Sequence, residues 1–138
     1  MRLRKNAKVD LIASVPLFAG CSKAELSEIA SISDELDVPE GATLIREGDR
    51  GREFLIVIDG TAKVTKKGRK LNEVGPGSFV GEIALIADVP RTATVTATAP
   101  VRLLVITDRA FQHLIRKTPS IAAKVLQSLG ERLHGTTL

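Results

Sequence analysis

Two ionisable side chains flank an apolar turn in GEIALIADVPRTATV, residues 81–95. Glu82 opens the stretch and Arg91 stands near its far end. The six residues after Glu82 (Ile83, Ala84, Leu85, Ile86, Ala87 and Asp88) carry one charge, at the last of them. An ionised carboxylate only accepts hydrogen bonds, so Glu82 could take one from a sugar hydroxyl. Arginine offers a planar fork of donors that matches two oxygens of a phosphate. If the apolar residues coil into a helical turn, its first N–H groups lack internal partners and favour an anion. Gly81 lets a backbone come close, and Pro90 ends the turn and sets the chain ahead of Arg91. An anion with neighbouring hydroxyls describes the phosphate and ribose of a nucleotide. The same spacing also suits a Glu82–Arg91 ion pair closing a surface loop, a common arrangement that contributes little.

Other chemistries find little support. The chain has one cysteine, Cys21, and two histidines, His113 and His134. That excludes an internal disulfide, gives no sign of an oxidising compartment and leaves no metal cluster at ligand spacing. A metal-dependent enzyme on a β-roll would need clustered His and carboxylate ligands on strands, whereas both histidines fall on expected helices. With no nucleophile–base pair either, the expectation is a non-catalytic, cytoplasmic protein without a metal. The formal charge is +4, and much of the basic excess sits in Arg2-Leu3-Arg4-Lys5 and Lys66-Lys67-Gly68-Arg69-Lys70. Neither run has interleaved aromatics for base stacking, so both read as solvated tips and no direct DNA binding is expected. No apolar run is long enough to span a membrane. MRLRKNAK followed by LIASVPLFAG and Cys21 has the order of a lipoprotein leader, but Asp10 and Pro16 break the run.

The elements that must position Glu82 and Arg91 follow from periodicity. The 138 residues suit one domain with a real core, filled by aliphatic side chains because aromatics amount to four Phe. Val9, Ile12 and Ala13 predict a short helix over residues 5–14, stopped by Pro16. Ser22 and Glu25 form a capping box for a helix continuing through Leu26, Ile29 and Ala30. From about residue 33, short apolar runs alternate with Gly and Pro turns. Leu44-Ile45, Phe54 to Ile58, Ala62 to Val64, the alternating Ala93, Val95 and Ala97, and VRLLVIT (101–107) read as strands. EGA, EGDRG, DGT, KKGR and GPG read as turns. Asp108 and Thr118 are placed to cap two further helices, the second with Pro119 in its first turn and Gly135 at its end. Its stripe is Ile121, Val125, Leu129 and Leu133. The expected class is α+β, mainly β: an antiparallel β-roll or jelly roll (33–107) between N-terminal helices (1–32) and two C-terminal helices (108–134).

At Gly81-Glu82-Ile83-Ala84-Leu85 and Pro90-Arg91-Thr92-Ala93-Thr94-Val95 the sequence resembles the phosphate-binding cassette of cyclic nucleotide-binding domains. That family includes catabolite activator proteins, regulatory subunits of cAMP-dependent protein kinase and cyclic-nucleotide-gated channels. The resemblance extends through VPLFAGCSKAEL, VPEGATLIREGDRGREFLIVIDGTAKV and KLNEVGPGSFVGE, nearly the whole chain. It implies a single cyclic nucleotide-binding domain with a short cassette helix. Arg91 would pair with the cyclic phosphate and Glu82 with the ribose 2′-hydroxyl. The N–H groups of Ile83 and Ala84 would face ligand oxygens, and Gly81 would permit their approach. Thr92 would reach the phosphate or a guanine amino group, which permits cGMP beside the cAMP expected as ligand.

The resemblance further implies that the last helix covers the base, with Lys124, Gln127, Ser128, Leu129 and Arg132 as candidate contacts. That helix could also pair with a second copy. Transcription factors of this family carry a helix-turn-helix domain where GTTL ends this sequence, so the reading is a stand-alone sensor or a piece of a larger protein. Its partner would be an effector protein or domain. The alternative function is a domain that has lost ligand binding and acts only in protein association.

Overall fold

The structure is a computed structural model that describes residues 3–136, with side chains through Glu131. Arg2 and the side chains of Arg132, Leu133 and His134, named above, lie outside the described residues. The chain divides into two compact units. One is Ser33–Arg109; the other joins the segment up to Ile32 to the segment from Ala110 on.

The first unit holds eight strands: β1 (Asp34–Val38), β2 (Thr43–Ile45), β3 (Glu53–Asp59), β4 (Ala62–Lys66), β5 (Arg69–Val74), β6 (Phe79–Val80), β7 (Thr94–Ala97) and β8 (Val101–Thr107). They form two antiparallel four-stranded sheets, ordered β1-β8-β3-β6 and β2-β7-β4-β5. This is the antiparallel roll the sequence predicts. Its core joins Ile45, Leu55, Val57, Ala62, Val95, Ala97, Val101 and Leu103. These inward positions recur every second residue along β3, β7 and β8, as the pleat demands. β3 is buried on both faces from Phe54 to Val57, and the rings of Phe54 and Phe79 meet at 6.0 Å.

Three strands escape the apolar pattern. β1 and β5 lie at sheet edges, and β5 is exposed from Arg69 to Glu73. KKGR is not turn throughout: Lys67-Gly68 forms the turn, both with positive φ, and Arg69 already pairs with Lys66 in the β4–β5 hairpin. β6 has only two residues, held against β3 through Leu55–Val80 and Ile56–Phe79.

The second unit contains helices α1 (Lys5–Ala13) and α2 (Lys23–Ser31), a 3₁₀ turn over Pro16–Phe18, most of α3 (Asp108–Lys117) and α4 (Pro119–Thr136). Val9 and Ile12 are buried as the periodicity requires, while Ala13 is exposed. The capping box is formed: Ser22 Oγ accepts from the Glu25 amide at 3.2 Å, and the Ser22 amide donates to Glu25 Oε1 at 2.7 Å. Glu25 also accepts from Ser120 Oγ at 2.6 Å and from Lys124 Nζ. Lys124, then Ser120 and the Ser22 amide, hold its carboxyl at about 2, against the opposing cost of burial. On α4, Ile121 and Val125 are buried and Leu126 is exposed.

Two cap expectations change in detail. The Thr118 hydroxyl does not turn inward to cap α4 but donates to Glu28 Oε2 at 2.6 Å, leaving its carbonyl to accept from Ile121. Gly135 does not end α4, which runs to Thr136; one glycine weakens a helix without forbidding it.

Candidate functional site

The apolar turn is a short 3₁₀ helix, Glu82–Leu85, entered through Gly81 at φ 81° and ψ 21°. Ala84 and Leu85 are buried, anchoring the turn to the roll, whereas Ile83 is exposed. In a 3₁₀ helix the first donors point out of its own ladder. Ala84 is already past that point: its N–H donates to the Gly81 carbonyl at 3.0 Å. The expectation that the Ala84 amide faces a ligand is therefore corrected for this conformation, because the tighter i→i+3 ladder uses that donor one residue earlier than an α-helix would.

Arg91 is held by its backbone and its side chain together. Its N–H donates to the Asp49 carbonyl at 2.7 Å, and its carbonyl accepts from Gly48 at 2.9 Å. Pro90 bridges to Arg50 beside it. The guanidinium is half-buried and lies against two glycine backbones. A methyl group added at Gly51 would stand 2.8 Å from Arg91 Nε, and one at Gly81 would collide with Nη1 and sit 2.9 Å from the Glu53 carbonyl. Arg91 Nη2 donates to that same carbonyl at 2.6 Å. Burial pulls the Arg91 pKa below the ordinary arginine value, and the Glu53 charge opposes the shift. Arginine stays protonated all the same.

No ion pair joins Glu82 to Arg91 among the described residues. The surface-loop alternative is thus not the arrangement formed; the ion pair of this loop is Arg50–Asp88 at 2.9 Å, on exposed side chains. One carboxylate oxygen of Glu82, Oε2, is shielded from solvent.

Gly81, Arg91 and Thr92 are shared by two cavities. One, of about 290 Å³, is lined by Gly51, Gly81, Glu82, Ile83, Ala84 and residues 89–92. It brings all six sequence-predicted site residues together. The other, of about 200 Å³, has apolar walls: Ile45, Val64, Val80, Ala93 and Val95. One cation and one acid thus stand beside a compact apolar recess, an arrangement suited to a molecule with an anionic group, hydroxyls and a flat apolar portion. The apolar wall and Gly51 were not singled out from the sequence. The wall forms only through the β2–β7–β4 pairing, where Ile45 and Val64 both face Val95. Gly51 lay within a motif already explained as a turn.

The expected base-covering residues lie in the other unit. Lys124 is engaged with Glu25, Ser128 is buried, and exposed Gln127 donates to Glu131 at 3.4 Å. Arg132 is outside the described side chains. Among the described residues no group of three His, Cys, Asp or Glu could hold a metal ion, and no helix is long and apolar enough to cross a membrane.

Comparison with known proteins agrees with this geometry. The family profile for the cyclic nucleotide-binding domain matches residues 35–118. The chain is 40% identical over 112 residues to a cyclic nucleotide-gated potassium channel of Mesorhizobium japonicum, covering 81% of this chain and 31% of the channel. It is 38% identical over 116 residues to a cAMP-dependent protein kinase regulatory subunit of Mycosarcoma maydis, covering 75% of this chain and 22% of the subunit. The N-terminal domain of a transcriptional regulator from Streptomyces coelicolor superposes with a TM-score of 0.85 at 32% identity, over 93% of this chain and 95% of that one. The chain spans about a third or less of the length of these two curated relatives. The roll, its cassette turn and these matches lead to one conclusion: the chain belongs to the cyclic nucleotide-binding domain family.

Proposed function

We propose that this chain is a non-catalytic sensor that binds a cyclic nucleotide, cAMP by preference, and passes the event to an effector protein or domain in the cytoplasm. The observation that carries the reading is the Arg91 guanidinium, held between the backbones of Gly51 and Gly81 at the wall shared by the two cavities. A half-buried cation whose hydrogen-bond acceptor is a single carbonyl gains most from an anion. Arg91 takes the cyclic phosphate and Glu82 the ribose 2′-hydroxyl. Gly81 and the Ile83 amide line the approach, and Ala84 supplies its N–H only if the turn loosens. The apolar recess takes the base edge. Thr92 admits cGMP as well as cAMP. Binding moves the helices of residues 108–134, which a partner reads, and α4 is available to pair with a second copy. That two curated relatives are named for cyclic nucleotides and for cAMP supports the ligand class.

Arg91→Ala is expected to weaken cAMP binding at least about thirtyfold, a step of roughly 2 kcal/mol, because it leaves a desolvated phosphate without its bidentate partner. Calorimetry with cAMP and cGMP side by side measures both this loss and the preference. Near-native affinity in the variant would remove Arg91 from its assigned role. Absence of binding by the parent chain at millimolar nucleotide would instead favour a domain kept only for association.

A further inference from the structure

The β4–β5 hairpin carries a second feature unrelated to the nucleotide site. Lys63, Lys66, Lys67, Arg69 and Lys70 are all exposed on two short paired strands and their turn. Nearby acids are fewer. Glu73 pairs with Lys70 at 2.6 Å, and the Glu47 carboxylate accepts the Lys67 backbone N–H at 3.0 Å. Lys63, Lys66, Lys67 and Arg69 form no ion pair among the described residues.

The strand pairing adds an apolar group to this cluster. Val64 pairs with Asn72 and Thr65 with Lys70, so Leu71 is the extra residue of a bulge. Bulges re-aim side chains, and Leu71 is 60% exposed. An edge strand needs charges to avoid pairing with other chains, but that need does not account for a leucine held out beside them.

We infer that this hairpin is an electrostatic finger that holds the chain reversibly on an anionic phospholipid surface, with Leu71 as its apolar contact. The cations lie along a protruding, two-stranded tip and line neither cavity of the nucleotide site, which suits diffuse surface charge better than one bound anion. Without aromatics the tip has no platform on which bases could stack. Several unpaired cations with one exposed aliphatic side chain give weak, salt-sensitive attachment.

The test is sedimentation of the whole chain with phosphatidylcholine vesicles, with and without about one-third phosphatidylserine. Binding is expected only to the anionic vesicles and should fall steeply as salt is raised. The triple variant Lys66→Glu, Lys67→Glu, Arg69→Glu should lose at least about tenfold in partitioning. The corresponding triple change to Gln, gentler on the fold, should lose less but in the same direction. Leu71→Ser should weaken binding while leaving its salt dependence unchanged. Thermal unfolding of each variant checks that the roll is intact. Equal partitioning to neutral and anionic vesicles, or an intact triple variant that binds as the parent does, would overturn the inference. So would binding to duplex DNA without binding to vesicles.

Discussion

Replacing Gly81 by alanine separates two roles that one glycine plays. Its φ of 81° lies where an L-residue costs about 1–2 kcal/mol. A Cβ there would also collide with Arg91 Nη1 and stand 2.9 Å from the Glu53 carbonyl. The carbonyl belongs to the central strand β3 and cannot yield, so the guanidinium must. Gly77 supplies the control: its φ is 86°, with nothing within 4 Å of an added methyl group. Gly77→Ala should therefore cost only the backbone strain and leave nucleotide affinity unchanged. Gly81→Ala should lose a similar 1–2 kcal/mol by urea denaturation. In addition it should lose at least about tenfold in cAMP affinity, or about 1.4 kcal/mol, because it displaces the phosphate-binding group. Calorimetry and denaturation on the two variants decide the matter. If Gly81→Ala binds cAMP as tightly as Gly77→Ala does, the close approach to Arg91 is not what the glycine is for.

Two further predictions concern stability. The Glu25 carboxyl is held at about 2, below its unfolded value of 4.5. A group depressed on folding stabilises above its unfolded pKa, so this contribution is full above about pH 4.5 and is lost as pH falls toward 2. It is on the order of 2 kcal/mol, and Glu25→Gln should flatten that part of the pH dependence of the urea midpoint. Leu85 is fully buried behind the cassette turn. Leu85→Ala should destabilise by about 2–4 kcal/mol and, by loosening the turn, weaken cAMP binding; unchanged affinity would show that the turn is held without it.

How much of this was legible in the sequence depends on whether the signal was local. β8 is found at the limits its alternation gives, Val101–Thr107, and the Ser22–Glu25 box needs only a spacing of three. β5 was hidden because an edge strand exposed on both faces has no apolar rhythm to read. Glu82 and Arg91 stood out as an acid and an arginine around an apolar turn. Their setting did not, because Gly51, Ile45 and Val64 reach the site through strand pairing. The cassette amides depended on a finer distinction: the turn is 3₁₀, and that commits the Ala84 donor.

The loop from Gly48 to Arg52 grips Arg91 through both its backbone amide and its carbonyl, and the Arg52 carbonyl accepts the N–H of Asp108, the first residue of α3. Four peptide units thus connect the anion-binding arginine to the root of a helix. A short tether of this kind has little slack. Any displacement of the Arg91 backbone larger than hydrogen-bond tolerance must either break one of these bonds or tug on Asp108.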